Sequence, residues 1–310
     1  MACLVFDIGG TLTKYAVIDK GGDMLFKGES TTSITLDGLI NDIFDVYTNM
    51  KSAYGNIEGV GLSIPAVTDA DAGIVKSEGA LLYVKDVPLR ILVSKKLGIP
   101  VEIENDGNCA ALAEAYNGSA VGHNSAAVVV CGTGIGGALV ENQKINKGAH
   151  FHAGEFGYTV LFADPASGSI GTWSEHGSVG SLCKKVSQRR NLDKGLSGLE
   201  VFKRAEAGDF IAIEEIDSYY MVMAMGIHNI QYSLDPDIIL LGGGISRRVD
   251  FIKRINKKLD YIYKIMPNAR VRPKIACCEH FNDANLYGAF YNYMSRKNNT
   301  SAEIDVRKAF

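Results

Sequence analysis

The sequence predicts an α/β protein of two domains, and three observations carry that prediction. Three short apolar runs, Cys3–Phe6, Ala126–Cys131 and Ile238–Leu241, each lead into a glycine turn, the pattern of strands buried on both faces. The order strand, glycine turn, strand pair, helix, strand, helix occurs twice without repeated sequence. A chain of 310 residues also suffices for about two domains.

The first set starts with a strand over about 3–7, the turn Asp7-Ile8-Gly9-Gly10, and two short strands over about 14–19 and 24–29. Leu36, Leu39, Ile40, Ile43, Phe44, Val46 and Tyr47 fall near helical spacing and predict an amphipathic helix. Gly59–Pro65 reads as a strand and its exit turn. A helix is expected over about 88–97, between Pro88 and Gly98, a suitable start and stop pair. Val101–Glu104 alternates as a strand, and a helix follows Asn105-Asp106 through about Tyr116.

The second set opens after Asn117-Gly118. A buried strand, Ala126–Cys131, leads into Gly132-Thr133-Gly134-Ile135-Gly136-Gly137, and another strand is expected over about 138–142. A long helix over about 211–232 carries Met221, Met223 and Met225, read as packing residues. Then come the strand before Gly242-Gly243-Gly244, a helix over about 250–263, a strand near 271–276 and a last helix over about 284–296. The polar tail from Lys297 to Phe310 is expected to fray. The expected division is an N-terminal domain of residues 1–118 plus about 284–310, made discontinuous by the last helix, and a C-terminal domain of 119–283. Ligands are expected in a cleft between them.

Composition narrows the function. A formal charge of −3 argues against a broad nucleic-acid surface. No apolar run approaches the roughly 20 residues of a membrane span. Asp7 interrupts the first apolar run before it can serve as a signal-peptide core, so a cytoplasmic location is expected. Cys3, Cys109, Cys131, Cys183, Cys277 and Cys278 form no C-x-x-C pair and read as buried reduced thiols.

Three glycine turns at strand ends suggest a bound nucleotide, because glycine lets backbone N–H groups approach phosphate oxygens. Asp7 would project from a strand end toward metal or phosphate, with Lys14, Thr11 and Thr13 adding charge and donors. The chain lacks G-x-x-x-x-G-K-[S/T]. Gly132, Gly134 and Gly137 match a dinucleotide fingerprint, but a strand follows them where a helix is required, which disfavours a dehydrogenase. Asp106, at a helix start, reads either as a cap or as a general base that takes a proton from a sugar hydroxyl. The doublet Asn105-Asp106 allows one residue to cap while the other serves chemistry. Glu155, between glycines, suits a hydroxyl-binding carboxylate, and Glu175 is a second candidate. Trp173 reads equally as core or as an aromatic face for a sugar ring. His150 and His152 lack a third metal ligand and read as exposed or hydrogen-bonded.

Five segments in order resemble the ROK family (repressors, uncharacterised frames and sugar kinases). They are Asp7-Ile8-Gly9-Gly10-Thr11 with Lys14, Glu104-Asn105-Asp106 with Ala110, Ala111 and Glu114, Gly132–Gly137, Ala153–Gly157, and Gly242–Gly244. The resemblance spans about 3–296. It implies an actin-like ATPase (ribonuclease H-like) fold, two domains flanking a central cleft, and a kinase using ATP and Mg²⁺. By motif, Asp7 lies near the metal (Mg²⁺) and phosphates, and Gly9, Gly10, Thr11 and Lys14 form a first phosphate loop. Thr133 and Gly134 belong to a second, and Gly243 lies near the nucleotide. Asn105, Asp106, Glu155 and Glu175 would bind sugar hydroxyls, with Asp106 as the base. A homodimer is also implied.

Two departures matter. Tyr158 stands where most members carry histidine, and 161–182 contains no cysteine, so no structural zinc is expected. The run Gly148-Ala149-x-Phe151-x-Ala153-Gly154-Glu155-Phe156-Gly157-Tyr158 is similar instead to that of the family's bacterial β-glucoside kinases. This implies phosphorylation of the 6-hydroxyl of a glucosyl unit, as in cellobiose; a glucokinase or other hexose or N-acylhexosamine kinase is the alternative. The family's repressors carry a helix-turn-helix ahead of the kinase-like part, and none is expected here, with Met1 two residues before the first strand. A sugar-binding sensor without catalysis is the remaining non-enzyme reading.

Overall fold

The computed structural model describes residues 2–306. The chain divides into two compact units, one of residues 1–117, 148–152 and 282–310, the other of 118–147 and 153–281. The segment 148–152, expected in the C-terminal domain, groups with the first unit.

In the first unit, β1 (Ala2–Ile8), β2 (Leu12–Asp19) and β3 (Met24–Thr31) form an antiparallel meander. After α1 (Leu36–Tyr54), β4 (Ile57–Ile64) pairs parallel to β1 on its other side. A small ribbon follows, β5 (Thr68–Asp69) and β6 (Ile74–Val75), then α2 (Leu89–Leu97), β7 (Val101–Asn105) and α3 (Asp106–Asn117). The sheet order is β3-β2-β1-β4-β7. The unbroken apolar run of β1 follows from its place: Leu4 and Phe6 pack on Leu39, Ile43 and Tyr47 of α1. Cys3 and Val5, on the opposite face, pack on Leu286, Ala289, Phe290 and Tyr293. Gly98 closes α2 in the left-handed conformation at φ 71°.

In the second unit, β8 (Ser125–Cys131), β9 (Ile135–Glu141) and β10 (Lys144–Asn146) form a second meander. Asn142 and Gln143 join β9 to β10 with φ of 50° and 61°, the two positive values that a tight hairpin with native twist demands. An exposed ribbon follows, β11 (Val160–Asp164) and β12 (Ser169–Thr172), then α4 (Trp173–Gly177), α5 (Val179–Arg189), α6 (Gly198–Glu206) and α7 (Phe210–Leu234). β13 (Ile238–Gly242), α8 (Phe251–Ile265) and β14 (Ile275–Cys277) complete the sheet β10-β9-β8-β13-β14. Trp173 is core, 1% exposed among Phe156, Met223 and Ile227. Met223 is buried as well, and Met221 and Met225 pack against this core.

The chain returns to the first unit with α9 (Ala284–Val306), which extends ten residues past its expected end. Residues 307–310 of the expected fraying tail lie outside the described residues. β14 begins later than expected, after Pro273, which has no N–H for a ladder. The ribbon β11–β12 and the helices α4, α5 and α6 are additions to the expected elements. Among the described residues no helix is long and apolar enough to cross a membrane, and the six cysteines carry free thiols.

Candidate active site

The first unit places Asp7 at the end of β1, opposite Lys14 in the β1–β2 register. Lys14 Nζ stands 3.5 Å from Asp7 Oδ2, and the Asn285 amide donates to Asp7 Oδ1 at 2.9 Å. The turn that follows is tied down from below: Gly9 N–H donates to Leu12 O at 3.0 Å and the Thr32 hydroxyl to Gly9 O at 2.8 Å. Thr13 Oγ1 and Thr32 Oγ1 share a further bond of 2.8 Å. Gly10 and Thr11, above these anchors, are exposed.

At the junction of β7 and α3, Asn105 is the helix cap. Its Oδ1 accepts the Asn108 N–H at 3.1 Å, while its Nδ2 donates to Ala66 O at 3.2 Å and to Asp106 Oδ1 at 3.0 Å. Asp106 Oδ1 also accepts the Gly107 N–H at 2.8 Å. The Asp106 carboxylate is therefore held in one rotamer, half-buried, at the positive end of a helix. Glu104, 1% exposed, supports the junction from inside: its Oε1 accepts from the Asn105 N–H at 2.9 Å and from Asn108 Nδ2 at 3.0 Å.

The second unit carries the other two glycine turns at the carboxyl ends of neighbouring parallel strands, β8 and β13, where Gly242 faces Val130. Gly243 needs its missing side chain twice: φ is +92°, and a Cβ there would stand 2.0 Å from Cys131 O. On the other side the start of α5 meets the first turn, where Gly180 N–H donates to Gly132 O at 3.1 Å. These turns open into a cavity of about 1050 Å³, wholly within this unit and lined by Gly132, Thr133, Gly180, Lys184, Leu196, Phe202, Gly244 and Arg248 among others. The Arg248 guanidinium lies 4.0 Å from the centre of the Phe202 ring.

Glu155 is half-buried, just before the short helical turn Phe156–Tyr158 that packs on β9. Glu175 is exposed, and its carboxylate closes a capping box on α4, accepting from the Thr172 N–H at 2.8 Å and the Thr172 hydroxyl at 3.0 Å. Those two bonds, the backbone one first, hold its pKa below the ordinary value. Its neighbour Ser174 is the residue that reaches the glycine turn, with Oγ accepting the Ile135 N–H at 2.9 Å. His150 and His152 are exposed in the segment 148–152, with His152 Nδ1 2.6 Å from His150 O.

Comparison with known proteins decides the family. The ROK family model matches residues 3–295. The chain belongs to the ROK family, among its sugar kinases. It is 30% identical over 303 residues to a β-glucoside kinase of Listeria innocua, covering 96% of this chain and 99% of that one. A β-glucoside kinase of Klebsiella pneumoniae is 29% identical over 299 residues, covering 94% and 96%. Among solved structures, a ROK family protein from Streptococcus pneumoniae in complex with sucrose superposes with a TM-score of 0.86 at 30% identity, covering 96% of this chain and 100% of that one.

For a ROK kinase the second unit's cavity suits a nucleoside in size and in its largely apolar wall, and the turns bordering it present glycine backbone. A divalent cation also fits the first unit. Asp7 supplies a hard oxygen ligand, and no group of three or more His, Cys, Asp or Glu side chains converges among the described residues. A cation there would take its other ligands from phosphates and water, the usual habit of Mg²⁺. Sequence reading missed Asn285, Gly180 and the walls from α5 and α6. The signals for those helices were the caps Ser178 and Ser197-x-x-Glu200.

Proposed function

We propose that this ROK kinase is an ATP-dependent β-glucoside kinase that phosphorylates the 6-hydroxyl of a glucosyl unit such as that of cellobiose. Asp106 carries the reading: a carboxylate fixed by the Gly107 N–H and the Asn105 amide at a helix start, set up to take a proton. In the reaction the 6-oxygen forms a bond to the γ-phosphorus, its proton passes to Asp106, and the bond to the β-phosphate oxygen breaks with its electron pair leaving on ADP. Asn105 and Glu155 would bind and orient sugar hydroxyls. Glu175 is left out of this set because it is exposed and its Oε2 closes the capping box with the Thr172 N–H and hydroxyl.

Gly9, Gly10, Thr11 and Lys14 would form one phosphate loop, Thr133 and Gly134 another, and Gly243 would lie near the nucleotide. Asp7 would hold Mg²⁺, which neutralises phosphate charge when bound. The β-glucoside specificity is supported by the run from Gly148 to Tyr158 and by the two β-glucoside kinases above. A coupled ADP-release assay over hexoses, N-acylhexosamines and β-glucosides tests the proposal. The highest kcat/KM is expected with a β-glucoside. Turnover confined to free glucose would replace the reading with a glucokinase, and binding without turnover would favour a sensor.

A further inference from the structure

We infer that Asn285 is a positioning residue for Asp7. The inference rests on the reading of Asp7 as the carboxylate of the metal–phosphate site. The Asp7 side chain is only 14% exposed, with Lys14 Nζ 3.5 Å from Oδ2 and Asn285 Nδ2 2.9 Å from Oδ1. A carboxylate offers only acceptors, so the amide nitrogen must face it and the amide oxygen must point elsewhere. That choice of residue has a chemical consequence. Lys14 already faces Oδ2, so a lysine at 285 would add a second positive charge against a cation, and an aspartate would repel Asp7 itself. A neutral amide fixes the rotamer without adding charge of either sign.

The donor is anchored in the core and not in a loop. Asn285 is the second residue of α9, flanked by buried Ala284 and Leu286. One turn on, α9 lies directly on α3: a Cβ at Gly288 would stand 1.8 Å from Cys109 O. Asp106 begins that same α3. Asp7 is therefore braced at Oδ1 from a helix that packs on the one carrying the proposed base, with Lys14 of β2 at Oδ2.

The test is Mn²⁺ affinity of the ADP-bound protein, read by electron paramagnetic resonance, in wild type, Asn285→Ala, Asn285→Ser and Asp7→Asn. Ala and Ser both suit a helix start or interior, and thermal melting checks that each variant is folded. Loss of such an outer partner is expected to weaken Mn²⁺ binding about tenfold or more. The KM for sugar and the melting temperature should stay close to wild type, which a merely structural role of Asn285 would not allow. Unchanged Mn²⁺ affinity in both Asn285 variants, with clear loss in Asp7→Asn, would overturn the inference and leave the Asp7 reading intact. Unchanged affinity in Asp7→Asn would overturn that reading itself.

Discussion

Asn105 and Asp106 divide the work of one helix start. Asn105 Oδ1 takes the Asn108 N–H at 3.1 Å, which is the capping bond, and its amide nitrogen reaches across to Asp106 Oδ1 at 3.0 Å. Asp106 is thereby relieved of capping and held in place by the residue that does it. Replacing Asp106 by Asn keeps an oxygen for the Gly107 N–H but removes the basic carboxylate. Turnover is expected to fall by at least about 10²-fold, the scale of a lost general base. Affinity for ATP and sugar, measured by titration calorimetry, should change little. Near-normal turnover would place the base elsewhere.

Asn105→Ala removes both the cap and the brace on Asp106. Stability should drop by about 1 kcal/mol, the usual value of an N-cap, as measured by urea denaturation. The turnover loss should be larger than that stability change can explain, since the protein remains folded while Asp106 is freed to rotate. A variant that loses stability but keeps wild-type kcat would show that Asp106 needs no brace.

The strands and glycine turns were legible in the sequence because their burial imposes a simple pattern. β1, β8 and β13 are buried on both faces, so Cys3–Phe6, Ala126–Cys131 and Ile238–Leu241 must be apolar throughout. The capping task at Asn105-Asp106 was legible in the doublet, though which residue caps depends on side-chain geometry that residue types alone leave open. The region between Tyr158 and Phe210 was not read as helical. Its helices are short, and their starts are marked by caps that resemble functional polar residues. Glu175 is the instructive case: Thr172-x-x-Glu175 is a capping box, and the carboxylate that looked like a sugar ligand satisfies the backbone of its own helix. Asn285 was invisible for a different reason, because its partner Asp7 lies 278 residues away in sequence.

Glu175→Gln separates these two roles. As a cap, Glu175 should affect stability and leave the KM for sugar within about twofold of wild type, since surface cap changes act locally. The pH dependence has a definite sign. Its pKa is lowered by the Thr172 N–H and hydroxyl, so its ionised form favours the folded state. That contribution is complete above the ordinary 4.5 and fades as the pH falls through the lowered value. Urea midpoints measured down to pH about 3 should therefore decline more steeply for wild type than for Glu175→Gln. A large rise in sugar KM would restore Glu175 to the sugar site.

Gly180→Ala tests whether the contact between α5 and the Gly132–Gly134 turn serves nucleotide binding. Inside a helix, alanine is favoured over glycine by about 1 kcal/mol, so local propensity alone predicts a more stable protein. The site forbids it: the new Cβ would stand 2.3 Å from Thr133 O and 3.0 Å from Thr133 C, both backbone atoms that cannot swing aside. Either the turn or the first residues of α5 must shift, and the Gly180–Gly132 bond of 3.1 Å goes with it. If Thr133 and Gly134 hold phosphate, the KM for ATP should rise at least about tenfold, because small displacements of positioning groups are costly. The KM for sugar should hold. A normal ATP KM, with the shift confirmed by a crystal structure of the variant, would remove this turn from the phosphate site.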